Sequence, residues 1–509
     1  MERNEEQNAR VQSEFLDRNL PQEITAEITL PDYRSEISRL LWVRPTFMPP
    51  VRFVGGGKAD FSGTCRYDML YTGPDGGLYS ATEDGSYAFS VPLQLPSGFD
   101  NAGGVELSLE PAVDAVISRV TGPRKLSVRT RMHTRVCAFG EKDMGVRLCG
   151  DEGERERVLR LCDAVEGGRV LTGGQHTVEL SEVVENEGEE LRLVATHGAV
   201  LLSDVSVAPD AVQCRGEAVI TLLYCKEGDE AVMPYTVLRK LPFTCEIPLD
   251  GATPDCEGRV SGAVSEIRAG VEEGKTLLDV RVALVAEAQT KECFALCRDL
   301  FLPGKEATPT YSEEHIFSAA LCGNRHFSVS GEVNPAERGV PTEAAPLLAV
   351  ADAEVKERGA DGGQSVISGE LVCHVLYCQG GEYGTAELSL PWRTVLEGAA
   401  DDMMIAASAP LVRVTPTREG WRIDAEVQLS LRGVCRKTHR VLTEASFSAA
   451  EPKPRADVEI CYPAAGETLW KVAKRYGISP DELAGANGLS GEDPNGAGTL
   501  AGVKYLMIP

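Results

Sequence analysis

Fifteen cysteines and seven histidines are the residues best equipped for chemistry in this chain. Thiolates attack electrophiles and hold soft metals, and imidazole exchanges protons near neutral pH. Both uses need clusters, and the sequence offers few. The cysteines run from Cys65 to Cys461 without a C-x-x-C pair; the closest spacings are Cys293 with Cys297 and Cys373 with Cys378. None of these matches a zinc or dithiol motif. Cys65, Cys137, Cys214, Cys245, Cys373 and Cys435 sit in strand-like segments, where a free thiol behaves as a small hydrophobe. Buried, reduced thiols are the expectation. His133, His176, His197, His326, His374 and His439 stand isolated. Cys373 and His374 are adjacent on a strand, so they should face opposite sides and cannot act as nucleophile and base. There is no H-E-x-x-H, P-loop or G-x-S-x-G, and the Gly55–Gly57 run has no helix behind it. No catalytic residue, metal or cofactor is expected.

The charge balance narrows the partners. The 509 residues carry 77 Asp and Glu against 51 Lys and Arg, a formal charge of −26. A phosphate-backbone binder needs clustered cations, and so does a surface that docks on anionic lipid. Neither nucleic acid nor bulk-charge membrane binding is expected. The first residues, Met1-Glu2-Arg3-Asn4-Glu5-Glu6, contain no apolar signal region, and no apolar run approaches the ~20 residues that span a bilayer. The expectation is a cytosolic protein with no transmembrane segment.

One pattern recurs three times along the chain. Gly63, Gly216 and Gly369 are each followed, eight residues on, by Tyr71, Tyr224 and Tyr377, with Leu70, Leu223 and Leu376 just before the tyrosine. The period is 153 residues in both intervals. That is the size of a domain, not of a solenoid repeat. Each unit has a short apolar stretch upstream, Leu40–Val43, Leu191–Val194 and Leu347–Val350, and a polar or Gly-rich turn downstream. An aromatic then precedes a strand, at Phe89, Phe243 and Trp392. Each unit closes on a long alternating run: Leu126 to Val136, Leu278 to Ala286 and Ile423 to Leu431. Period two over about ten residues marks a strand with one wet face. The fold class is therefore mainly β: three tandem antiparallel sandwich or barrel-like domains, each large enough to bury its own core.

The expected divisions are a polar lead-in over 1–20, frayed or helical, and β domains over 21–145, 146–295 and 296–450. A short helix is expected over Glu154–Val165, and Cys293 to Tyr311 reads as a connection. The motif glycine is expected to permit a bulge or a close backbone approach, and the tyrosine to pack its ring and bond its hydroxyl. Ser181 to Glu190 reads as a solvated acidic surface or turn, with a docking site for a basic partner as the alternative.

After a Pro-rich linker over 451–456, residues 457–509 change character. Val458 to Tyr462 reads as a strand. Leu469, Val472, Ala473 and Tyr476 then fall on one helical face, with Thr468 as N-cap and Gly477 as stop. Ser479-Pro480-Asp481-Glu482 is a capping box that opens a second helix. Tyr505 to Ile508 supplies a last strand, completing βααβ.

These residues carry a resemblance. The segment Tyr462-x3-Gly466-Glu467-Thr468-Leu469-Trp470-Lys471-Val472-Ala473-Lys474-Arg475-Tyr476-Gly477-Ile478, with Leu483, Asn487, Leu489 and Ile508-Pro509, resembles a LysM domain. The resemblance implies a βααβ module that binds N-acetylglucosamine glycans such as peptidoglycan in a groove between two loops. Here the groove would use Gly466, Glu467, Thr468, Leu469, Trp470, Asn487, Leu489, Asp493 and Gly502 as ligand- or partner-binding residues. The second loop departs from the family: it is long, acidic and Gly-rich, and Ala501-Gly502 replaces the usual Pro-Gly. The β units also resemble known domains. Leu30-Pro31-Asp32-Tyr33, Ile37, Leu40-Leu41, Gly63, Leu70-Tyr71 and Phe89-Ser90-Val91-Pro92 are similar to the SPOCS domain of spore-coat-associated proteins. SPOCS units followed by a LysM are the layout of spore-coat morphogenesis proteins. That layout implies a scaffold in the mother cell at the forespore surface, docking a coat basement-layer ATPase of the SpoIVA type. It also leaves open recognition of peptidoglycan or its lipid-linked precursor.

Overall fold

A computed structural model describes residues 10–99, 104–149, 152–155, 157–186, 191–226, 233–449, 459–489, 500 and 502–509. The expected linker over 451–456 lies outside them.

Three units repeat one topology. The first contains β1 (Arg10–Thr29), β2 (Arg39–Phe47), β3 (Val51–Gly55), β4 (Lys58–Thr72), β5 (Leu78–Pro92), β6 (Glu106–Gly122) and β7 (Lys125–Asp143). One sheet has the order β1-β7-β6; the other has β4 between β5 and the β2 and β3 segments. A short strand β8 (Arg147–Cys149) and a one-turn helix α1 (Glu152–Arg155) follow. The second unit contains β9 (Leu159–Glu185), β10 (Leu191–Ala208), β11 (Ala211–Lys226), β12 (Tyr235–Pro248), β13 (Glu257–Glu272) and β14 (Lys275–Phe301). Its sheets are β13-β14-β9 and β10-β11-β12. The third unit contains β15 (Lys305–Val333), β16 (Ala345–Asp361), β17 (Gln364–Gln379), β18 (Glu382–Glu397), β19 (Asp402–Pro416) and β20 (Trp421–Ala449). Its order is β15-β20-β19 and β16-β17-β18, joined through a β16–β19 pairing. In every unit the first strand returns to pair with the last. The two sheets face each other over one apolar core, which draws on all six strands in the second unit. The alternating runs on β7, β14 and β20 supply it: Leu278, Val280, Val282, Leu284 and Ala286 are all buried.

Pairing corrects three expectations. Residues 10–20 are not a frayed or helical lead-in; they are the first half of β1 and pair with β7. The helix expected over Glu154–Val165 is confined to α1, because β9 starts at Leu159 and pairs with β14 to its end. Gly167 and Gly168 lie under the rings of Phe294 and Phe317, so this Gly-rich stretch is a packed strand. The Cys293–Tyr311 connection is likewise strand, apart from the turn between β14 and β15.

The expected bulge and close backbone approach are both found at two of the motif glycines: Gly216 and Gly369 pair with Leu202 and Val355 at the Leu202/Asp204 and Val355/Glu357 register shifts, and the backbone oxygens of Leu201 and Glu354 crowd their Cβ positions. Gly63, Gly216 and Gly369 sit opposite Tyr87, Phe243 and Trp392 on the neighbouring strand. Each ring covers its glycine: a Cβ would stand 2.6 Å from Tyr87 Cζ, 2.9 Å from Phe243 Cζ and 2.6 Å from Trp392 Cε2. Tyr87, not Phe89, is thus the first unit's counterpart of Phe243 and Trp392. Bulges also fall across from the tyrosines, at Leu40/Trp42, Leu193/Ala195 and Pro346/Leu348.

Alternation along β4, β11 and β17 explains the Leu-Tyr dipeptide. Tyr71 and Tyr224 point into their own cores, and Tyr377 packs against the third. Tyr71 donates its hydroxyl to Ser35 O at 3.2 Å, and Tyr224 Oη lies 2.8 Å from Thr276 Oγ1. The leucines point the other way. Leu70, Leu223 and Leu376 meet in one buried cluster with Leu78, Val194 and Leu348. The three units therefore close around a pseudo-threefold axis. Each fully buried leucine contributes about 1.5–3 kcal/mol there.

A polar layer joins them a second time. Arg135, Glu287 and Arg432 occupy corresponding places on β7, β14 and β20, across from Glu110, Arg259 and Met404. Glu287 accepts from Arg259 Nη2 at 2.7 Å and from Ser108 Oγ of the first unit at 2.7 Å, with Arg432 Nε of the third at 3.6 Å. Burial pushes the Glu287 carboxyl up, but the Arg259 and Arg432 charges and the Ser108 bond outweigh it and hold it below its ordinary value.

The C-terminal module is β21 (Glu459–Cys461), α2 (Leu469–Tyr476), α3 (Pro480–Ala486) and β22 (Leu506–Ile508), the expected βααβ order. Thr468 Oγ1 accepts from Lys471 N, Gly477 closes α2 at φ 64°, and Ser479 with Glu482 forms the capping box.

Candidate functional site

The module does not have a core of its own alone. Trp470, Val472, Ala473, Ile478, Leu483, Cys461 and Leu506 pack together with Leu161 of β9 and Phe301 of β14. Trp470 is 3% exposed. Its ring meets Phe301 edge-on at 5.0 Å, and its Nε1 donates to Asp299 Oδ2 at 2.8 Å. Lys474 Nζ donates to Asp299 Oδ1 at 2.5 Å. Trp470 and Lys474 are one turn apart on α2, so a single carboxylate on β14 holds one face of that helix.

The remaining expected groove residues divide by what their atoms already do. Glu467 is buried; its carboxylate accepts from Ala464 N at 2.9 Å and pairs with Arg475. Its backbone oxygen accepts from Leu500 N at 3.0 Å, which ties the two loops together. Asn487 donates to Leu483 O and Met507 O at 2.8 and 2.7 Å and accepts from Met507 N at 2.6 Å. It fastens the end of α3 to β22. Leu489 packs on the module core. Gly466 and Gly502 are exposed at positive φ, and Thr468 and Leu469 are half-buried beside them. Asp493 lies outside the described residues.

A different surface was not anticipated. Ile460 pairs with Met507 on the two-stranded sheet. Tyr462 and Tyr505 lie two residues further along the same faces. These four are 48%, 48%, 74% and 57% exposed, in the order Ile460, Met507, Tyr462, Tyr505. The inward residues Cys461 and Leu506 are buried. Both faces of the ribbon are apolar, and only one is covered. Alternation within Tyr505–Ile508 held this signal. Asp299 and Phe301 carried no sequence signal, since nothing in their own segment points to a helix over 160 residues away.

Elsewhere, an open cleft of about 400 Å³ is lined by Phe53, Phe61, Phe89, Lys58 and Asp60. Its Lys58 and Asp60 satisfy one another at 3.0 Å. Cys373 lies in the third core, while His374 is half-exposed on the other face of β17. Glu14, Asp17 and Cys137 cluster within 4.8 Å, but Arg436 and Arg135 already neutralise the carboxylates. No helix among the described residues is long and apolar enough to cross a membrane.

Comparison with known proteins bears on both parts. The family model described as SipL, SPOCS domain matches residues 191–272, which span β10 through β13 of the second unit. The LysM domain model matches residues 464–495. No curated protein matches the chain, and no solved structure does. SPOCS and LysM are binding or scaffold domains, and SPOCS points to sporulation. The chain is a mainly β SPOCS- and LysM-domain protein, with the SPOCS match in its second unit and the LysM match at its C-terminal end.

Proposed function

We propose that this protein is a non-enzymatic scaffold of spore-envelope morphogenesis. Its β units and LysM domain dock coat proteins, a SpoIVA-type basement-layer ATPase among them, at the forespore surface in the mother cell. The observation that carries this reading is the uncovered apolar ribbon face of Ile460, Tyr462, Tyr505 and Met507. Tyrosines and a methionine around an isoleucine have the chemistry of a protein interface, where aromatic residues and Met are enriched. The seating of α2 on Asp299 favours it as well, because it fixes the direction in which that face is presented.

The test uses the full chain. Purified ATPase is titrated against the wild type and against Ile460→Ser/Met507→Ser, with circular dichroism as the folding control. The double variant should weaken binding at least tenfold. Equal affinity, or no binding by the wild type, sinks the protein-docking reading. A fluorescent fusion should ring the forespore in a sporulating cell.

Glycan recognition is the second reading. It is favoured by the two open glycine turns, Gly466 and Gly502, on loops held together by the Leu500–Glu467 bond. Chitooligosaccharide or muropeptide titration should then shift the amide signals of Gly466, Thr468, Leu469 and Gly502. Unmoved signals at saturating sugar count against it.

A further inference from the structure

We propose that Cys162 and Cys297 are an oxidisable dithiol, a site where the protein takes up a reversible disulfide between β9 and β14 at the seat of the LysM domain. The two residues are directly opposite in the strand register. Opposed positions on antiparallel strands have Cα atoms about 4.5–5.5 Å apart. A disulfide bridges about 4.4–6.8 Å, so the register places the two within reach of a bridge. Cys297 Sγ donates to Asp299 O at 3.4 Å.

Their surroundings divide the labour. Cys162 is half-buried and Cys297 is buried. The Cys297 thiol lowers its partner, burial opposes this, and Arg160 adds to it; together they bring Cys162 down to about 7. The Cys162 thiol, with burial, pushes Cys297 up. Cys162 is the attacking thiolate and Cys297 the resolving thiol. The oxidant is a low-molecular-weight disulfide. The Cys162 thiolate attacks one of its sulfurs, a mixed disulfide forms, and the first small thiolate leaves. Cys297 then loses its proton and attacks Cys162 Sγ, expelling the second small thiol. The protein gives up two electrons and two protons, and one small disulfide becomes two thiols.

The fold carries its own comparison. Cys214 and Cys245 are also opposite in register, on β11 and β12, with sulfurs 3.4 Å apart. Burial pushes both thiols up, and Cys214 lies in the sandwich core. The two pairs share register and exposure, Cys245 being half-buried like Cys162; what sets the first apart is the Arg160 charge beside Cys162, which has no counterpart at Cys214 or Cys245. The location gives the first pair its consequence. Asp299 and Phe301, the seat of Trp470, follow Cys297 on β14. A bridge at Cys297 locks the strand pair that carries that seat.

Folded full-length protein incubated with oxidised glutathione near neutral pH, quenched in acid and mapped by mass spectrometry, tests this. A Cys162–Cys297 linked peptide should form, reverting to two alkylatable thiols on reduction. Cys297→Ser should stop at a glutathione adduct on Cys162, and Cys162→Ser should leave Cys297 reduced. The Cys214–Cys245 pair should stay reduced over the same period. Absence of the Cys162–Cys297 link at saturating oxidant in folded wild type overturns the proposal, as does faster oxidation of Cys214–Cys245.

Discussion

Asp299 accepts the Trp470 indole N–H at 2.8 Å and so fastens the LysM helix α2 to the end of β14. Its second oxygen takes Lys474 and the Leu300 N–H. The LysM domain is consequently part of the body formed by the β units, not a bead on a linker.

Removing that carboxylate should loosen the module without unfolding it. A hydrogen bond to a charged group is worth about 1.5–3 kcal/mol. In Asp299→Ala the α2 face loses it twice, while the apolar packing of Phe301 and Leu161 remains. Limited proteolysis near 450–458 should speed up several-fold, and Trp470 fluorescence should shift to the red. Unchanged cleavage and emission would show that packing alone seats the domain.

The ring-covered glycines should be intolerant, and a matched control should not. In Gly369→Ala the new methyl group meets the Trp392 ring, and the close backbone of Glu354 leaves it no retreat. Overpacking of this kind costs about 1–3 kcal/mol. Gly359 has ordinary φ and nothing within 4 Å of its Cβ position. Gly359→Ala should stay within about 0.5 kcal/mol of wild type. Denaturant melts of the two variants compare them directly.

Glu287 should govern the union of the three units. Glu287→Ala leaves Arg259 and Arg432 buried without their shared carboxylate, and breaking a buried pair in this way costs about 3–5 kcal/mol. Calorimetry should show a lower midpoint. If the units were independent, the variant would split the transition and spare the other two; a single shifted transition is expected.

Acid should expose Asp402. Burial raises its carboxyl, but Arg135 and Arg436 outweigh this and bring it down to about 2. A carboxylate depressed on folding stabilises above its unfolded pKa, near 4, and that contribution is lost as the pH falls toward the folded value. At about 1.4 kcal/mol per unit, Asp402 contributes about 2 kcal/mol that disappears between about pH 4 and pH 2. The stability gap between wild type and Asp402→Asn should shrink across that window. A gap that holds constant to pH 2 contradicts the assignment.

Period-two alternation and a 153-residue repeat settled the β class, the number of units and the βααβ module, because strand faces and helix caps are written in neighbouring residues. The Leu-Tyr dipeptide was legible as a repeat, yet not as two opposite jobs. Tyr224 fills its own sandwich, which local pattern implies. Leu223 faces two other units, which no local pattern can imply. The same limit applies to the site. Thr468 and Gly477 announce the ends of α2, but Trp470, expected in the groove, is buried against Asp299 and Phe301 from the second unit. Phe89 was matched by spacing, while pairing chose Tyr87, because register is fixed by hydrogen bonding between strands and not by residue count. The sequence determined what most segments are, but not residues 10–20, 159–165 and 293–311, whose strand partners lie far along the chain. The tertiary structure alone decided which faces meet, since burial across units joins residues hundreds of positions apart and depends on the whole chain closing around one axis.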